Sequence, residues 1–157
     1  MQNIFKKILQ TKDKYNSSIV FDSRLTKKND IFIGIRSNNR DGNLFALDAI
    51  KKGANFAIVD NNELTHENII HIRNVQLFIK KFTEFLLNFY KGKIIAISGS
   101  VGKTTTKENI FHILNNNKFK TYRSFKNFNN ILGLQFSIMN MDMKSKFAIF
   151  ELGINAP

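Results

Sequence analysis

Apolar residues along this chain fall into short continuous runs separated by longer stretches in which they recur every three or four positions, and the two patterns alternate. The short runs read as strands: Ser18 to Phe21, Asp30 to Ile35, Asn55 to Val59, Asn68 to Ile72, Ile94 to Ser98 and Lys146 to Leu152. The periodic stretches read as helices: a short one at Ile4 to Leu9, then Asn43 to Lys52, Val75 to Tyr90 and Lys103 to Asn115. In the second of these, Phe45, Ala49 and Ile50 share a face, and Gly53 supplies a stop. In the third, Phe78, Phe82, Phe85 and Phe89 form a stripe that the helical period assigns to a core.

Strands separated by helices imply an α/β fold with parallel sheets, and groups that bind ligands then gather at the carboxyl ends of the strands. The only proline is the last residue, so boundaries must be read from glycine and from breaks in period. Lys91-Gly92-Lys93 is the best such break. It divides the chain into a first module, residues 1–91, and a second, residues 92–157, in which the alternation restarts.

A length of 157 residues with 43% hydrophobic content supports a packed core in one ordinary domain or two small ones. No run of about 18 apolar residues marks a membrane span. The amino terminus lacks the apolar region and small-residue cleavage site of a secretory signal, so a cytoplasmic location is expected. The absence of cysteine excludes disulfides, thiolate metal sites and a cysteine nucleophile. A net charge of +12 would ordinarily raise nucleic acid or an anionic surface as a partner. The charge is carried by 19 lysines against 5 arginines and scattered in ones and twos, so neither a nucleic acid nor a membrane is the expected partner.

The densest chemistry lies at Ile94 to Lys107, where an apolar strand runs into a glycine-rich turn and then Lys-Thr-Thr-Thr. Gly99 and Gly102 let backbone amides approach an anion, Lys103 reaches β/γ-phosphates, and the Thr104 hydroxyl can hold Mg2+ where a helix begins. The ordinary alternative is a Gly-Ser turn that merely joins strand to helix. A standard G-x-x-x-x-G-K-[ST] loop would need glycine at position 97, where this chain has isoleucine. Glu151, at the carboxyl end of the strand Lys146 to Leu152, is a second oxygen ligand suited to Mg2+, the alternative being a surface carboxylate at a strand end.

The string Ser98-Gly99-Ser100-Val101-Gly102-Lys103-Thr104-Thr105-Thr106 resembles the shortened phosphate loop of the Mur ligases, ATP-dependent enzymes that build the peptide stem of peptidoglycan. Asn127-Phe128-Asn129-Asn130-Ile131-Leu132-Gly133 resembles the N-x-N-N-x-x-G signature of the branch that adds D-alanyl-D-alanine, and Phe150-Glu151-Leu152-Gly153 resembles the family's strand ending. Helix capping is the bland reading of Asn129 and Asn130. In the first module, Asp22-Ser23-Arg24 and Arg40-Asp41-Gly42-Asn43-Leu44-Phe45 resemble segments around the UDP end of the substrate, with Asn43 standing where the family usually has histidine.

The resemblance implies a small Mur-ligase-type amino-terminal α/β domain followed by an incomplete phosphate-loop central domain. By the same resemblance, Gly99, Ser100, Val101, Gly102, Lys103, Thr104 and Thr105 bind ATP phosphate, Lys103 acts in catalysis, and Thr104 and Glu151 hold Mg2+. Ser23, Arg24, Asn129 and Asn130 would bind substrate. The implied cofactors are ATP and Mg2+, and the implied partners of the whole enzyme are UDP-N-acetylmuramoyl-tripeptide and D-alanyl-D-alanine. The chain corresponds to about the first third of such a ligase, so it is expected to be inactive alone, to leave a sheet edge open, and to need the missing carboxy-terminal part. A non-catalytic UDP-sugar and nucleotide-binding remnant, or one piece of a split ligase, is the alternative. None of His66, His71 or His112 matches the family's metal-binding histidine.

Overall fold

The computed structural model describes residues 1–37, 40–125 and 130–153. The chain divides into two compact units, Met1–Phe82 and the residues from Thr83 onward. The division falls within a helix, just ahead of the Lys91-Gly92-Lys93 break.

The first unit opens with α1 (Gln2–Tyr15), longer than its apolar pattern alone predicts and ended by Asn16 in the left-handed conformation at φ 53°. Four parallel strands follow in the order β1 (Ile19–Val20), β2 (Ile31–Ile33), β5 (Phe56–Val59) and β6 (Ile69–His71). Between β2 and β5 the chain makes a small antiparallel hairpin, β3 (Arg36–Ser37) with β4 (Arg40–Asp41), then a 3-10 turn over Gly42–Phe45 and the helix α2 (Ala46–Lys51).

Alternation along the strands gives the sheet two apolar faces. Phe32, Ala57 and Val59 pack with Ala46 and Ala49 of α2 in one buried cluster. The intervening residues Ile31, Ile33, Phe56 and Ile58 are equally buried and point to the other face, where the Lys7 ammonium of α1 lies over the Phe56 ring. α3 (Val75–Phe89) begins after Asn74, whose side chain accepts from the Leu77 amide, and its Phe78 and Phe82 meet Phe5 of α1 at ring-centroid distances of 5.4 and 5.0 Å.

Two sequence expectations fail here. Phe45 sits in the 3-10 turn rather than on a helix face, and half of it is exposed, so it does not share the burial of Ala49. The phenylalanine stripe is core only in its first half: Phe78 and Phe82 are buried, whereas Phe85 is partly exposed and Phe89 is 61% exposed and packs on Phe85. Spacing sets which face a residue shares, but burial also requires packing opposite that face, which Phe5 of α1 supplies to Phe78 and Phe82.

In the second unit β7 (Lys93–Ile97) is followed by α4 (Lys103–Asn116), β8 (Thr121–Arg123), α5 (Ile131–Asn140) and β9 (Phe147–Glu151). The strands form a parallel sheet in the order β7-β9-β8, separate from the first sheet. β8 and α5 were not legible as elements, the first because it is short and polar, the second because its residues read as a motif. The partly buried Tyr122 hydroxyl of β8 donates to the Ser137 carbonyl of α5 at 2.8 Å, and desolvation pushes its phenol well above the ordinary range. Among the described residues no helix is long and apolar enough to cross a membrane.

Candidate functional site

The site is built where β7 and β9 end side by side. The two strands pair in register through Ile97 and Glu151, and the Leu152 amide donates to the Ile97 carbonyl, so the carboxylate of Glu151 and the start of the glycine loop emerge at the same edge. The loop leaves β7 through Gly99 at φ 152° and enters α4 through Gly102 at φ 79°, conformations that a side chain at either position would strain. Val101, at the loop's crest, is 89% exposed.

Gly102 is the N-cap of α4 and offers no side chain to the helix amides, and the first turn carries no acidic residue. The first-turn amides of a helix have no partner within it, so they and the positive end of the helix dipole face the loop. The Lys103 ammonium folds back to donate to the Gly99 carbonyl at 2.5 Å. The Thr104 hydroxyl donates to Oε2 of Glu151 at 2.9 Å. Glu151 is 3% exposed and its backbone amide donates to the Ser124 hydroxyl at 3.3 Å, which fixes the strand end against the turn after β8. The structure therefore brings together Gly99, Gly102, Lys103, Thr104 and Glu151, with Ser100, Val101 and Thr105 on the exposed rim.

Sequence reasoning missed one member of this group. Lys107, one helical turn beyond Thr104 and on the same face of α4, is 1% exposed, and its ammonium lies 3.3 Å from the same Oε2 of Glu151. A lysine in an amphipathic helix reads as solvent-facing; the available signal was its i+3 spacing from Thr104, which turns it toward the strand end. A second charged group lies nearby on the same helix: Glu108 pairs with Arg123 at 3.1 Å, and the guanidinium stacks on the Phe111 ring at 3.7 Å.

The donor set suits a hard cation in kind, since a hydroxyl and a carboxylate oxygen converge. Two protein oxygens fall short of an octahedral shell, and among the described residues no cluster of three or more His, Cys, Asp or Glu side chains occurs. Mg2+ here would take its remaining ligands from phosphate oxygens and water, the usual arrangement for that ion.

The other expected residues lie apart from this loop in sequence and role. Asn129 lies outside the described residues, as do Asn127 and Phe128. Asn130 is the N-cap of α5, accepting from the Gly133 amide at 2.7 Å, so its side-chain oxygen already has a structural use. Ser23 and Arg24 belong to the first unit. Ser23 is buried and its hydroxyl engages Asp48, while Arg24 is exposed and forks onto Asp22, whose carboxyl it holds below the ordinary carboxylate range. Asn43, where the chain departs from the family pattern, is fully buried: its amide donates to Asp41 at 2.7 Å and Asp60 at 2.9 Å, and its oxygen accepts from the Asp60 backbone amide. Arg36 closes the same network against both carboxylates, at 3.1 and 3.5 Å.

Comparison with known proteins gives this geometry a family. Residues 97–157 match the Mur ligase middle domain. The chain is 40% identical over 141 residues to the UDP-N-acetylmuramoyl-tripeptide--D-alanyl-D-alanine ligase of Rickettsia prowazekii, covering 88% of this chain and 31% of that protein. It is 33% identical over 143 residues to the enzyme of the same name from Buchnera aphidicola subsp. Baizongia pistaciae, with 89% and 31% covered. Among solved structures, it superposes on the MurF ligase of Thermotoga maritima in complex with ADP with a TM-score of 0.72 and 26% identity, covering 90% of this chain and 33% of that one. A MurF structure from Acinetobacter baumannii gives a TM-score of 0.76 at 27% identity, covering 89% and 31%. The chain thus spans about a third of the length of the relatives it matches. On the matched middle-domain segment, the sequence identity and the shared fold along that span, the chain belongs to the Mur ligase family.

Proposed function

We propose that this chain is the amino-terminal part of an ATP-dependent ligase that joins D-alanyl-D-alanine to UDP-N-acetylmuramoyl-tripeptide. In this reading residues 1–91 bind the UDP end of the substrate and residues 92–157 begin the ATP-binding domain. The observation that carries it is the loop Gly99 to Thr104, which runs from a strand end into an uncapped helix terminus with Glu151 bonded to Thr104.

The reaction is phosphoryl transfer from ATP to the tripeptide carboxylate, followed by attack of the dipeptide amine on the acyl phosphate carbon and departure of phosphate. Both steps depend on positioning and charge neutralisation more than on covalent chemistry by the protein. The loop amides of Gly99 to Thr105 cradle the phosphates. Lys103 exchanges the Gly99 carbonyl for β/γ-phosphate oxygens and so follows the charge that develops on them. Thr104 and Glu151 would hold Mg2+, which when bound neutralises phosphate charge. Ser23 and Arg24 are assigned to the UDP moiety, which requires Arg24 to leave Asp22, and Asn129 and Asn130 to the sugar-peptide.

Calorimetry with ATP and Mg2+ tests the phosphate assignment. Lys103→Ala is expected to lose about 1.5–3 kcal/mol of binding free energy, the value of a charge-assisted hydrogen bond; equal affinity of the two proteins overturns it. The chain alone is expected to make no UDP-linked pentapeptide, because the acyl phosphate and the amine must be held in register inside a closed, dry site. An assay of product with this chain, and again with the remaining two-thirds of such a ligase added, checks this. Product from the chain alone refutes it, product only on addition identifies a split enzyme, and none in either case favours a binding remnant.

A further inference from the structure

Lys107 is the one group at this site with no role in the chemistry above. A lysine that is 1% exposed beside a glutamate that is 3% exposed is costly to bury, and such a pair is not a dependable source of stability. Its geometry is specific. Both the Thr104 hydroxyl and the Lys107 ammonium address the same oxygen, Oε2 of Glu151, from successive turns of α4. Thr104 lies on the turn that opens toward the loop, and Lys107 lies behind it. The carboxylate is therefore drawn against the hydroxyl from the protein side, and its negative charge is met from within.

Without that ammonium, the mouth of the loop would hold a low-dielectric carboxylate next to the place where a polyanion must sit. Charges interact strongly over such distances when water is excluded. We propose that Lys107 is a positioning residue: an internal counter-cation that holds Glu151 against Thr104 and cancels its charge, so that the loop presents a net positive face to a polyphosphate before any divalent cation arrives. The inference rests on reading the loop as an ATP-phosphate site.

Its signature is the dependence of ATP binding on Mg2+, not the affinity itself. Lys107→Met leaves Glu151 unopposed, so ATP without metal binds about tenfold or more weakly, while ATP with Mg2+ is much less affected because the added cation restores the balance. The ratio of the two dissociation constants therefore rises. Glu151→Gln has the opposite effect, tightening metal-free binding and abolishing the gain from Mg2+, and Glu151→Gln with Lys107→Met returns metal-free binding to the parent value. This second pair reports on Lys107 even if Lys107→Met alone does not fold. Calorimetric or fluorescence titration of the full chain with ATP, in EDTA and in excess Mg2+, reads all four proteins. If the parent binds ATP and the ratio is the same in Lys107→Met, or metal-free binding is the same in Glu151→Gln and the double variant, Lys107 is merely structural and the inference falls. If the parent binds no ATP under either condition, the phosphate reading falls first and takes the inference with it.

Discussion

The two parallel sheets among the described residues are made from nearly the same kind of sequence and are buried very differently. In the first unit Ile31, Phe32, Ile33 and Phe56 to Val59 are all at or near complete burial, with helices supplied for both faces. In the second, β9 is as buried as those strands, but β7, whose Lys-Ile-Ile-Ala-Ile run reads like a central parallel strand, lies at the sheet edge with Ile94 47% exposed. Of the residues of α4, only Lys107 is buried, and Ile113 is 61% exposed. An apolar run therefore specifies a strand without specifying its neighbours. In the first unit both sheet faces are buried, while in the second the apolar burial centres on β9 and α5, and α4 turns only Lys107 inward, toward Glu151.

The largest expected effect sharpens that contrast directly. Phe32→Ala should cost about 3–5 kcal/mol, the range for emptying a packed aromatic site, whereas Ile94→Thr should fall within about 0.5 kcal/mol of the parent. Urea unfolding followed by circular dichroism compares them, and similar losses would break the contrast. Next in size is Asn43→Ala, which leaves Asp60 without the amide that joins it to Asp41. A loss of about 1–3 kcal/mol is expected, and no loss would mean that the network is surface ornament to the first core.

The smallest effect is a pH dependence. Arg24 lowers the Asp22 carboxyl, so the stabilisation is complete above the unfolded carboxylate value of about 3.9 and is lost as pH falls through the lower folded value. The pair is exposed, so Asp22→Asn should cost under about 1 kcal/mol at neutral pH, and the difference from the parent should shrink below about pH 4. A difference that grows on acidification would contradict the ion pair.

Most of the fold was legible because the strands of both units are continuous apolar runs that no helix period explains. Phe56 to Val59 and Phe147 to Phe150 could hardly be anything else. The loop and its glutamate were legible because glycine, lysine and threonine there have a joint chemical use. What escaped was set by tertiary position. Lys107 is an ordinary helical lysine until β9 brings Glu151 to it, Phe89 is core by period and yet exposed, and Asn43, at the start of an expected helix, is the buried centre of a partly exposed polar network. Asn130, which the motif marks for a ligand, is already occupied as a helix cap.

If the loop binds phosphate as proposed, the bond from Lys103 to the Gly99 carbonyl has a consequence for which anions it would hold. The lysine is occupied at rest, so an arriving ligand gains from it only the margin by which its own oxygen is a better acceptor than a carbonyl. A singly charged ion in water offers a narrow margin, while a chain of phosphates offers several charged oxygens at once to the ammonium and the amides. On the proposed phosphate reading, the loop would thus grade anions by valence before recognising any other part of them.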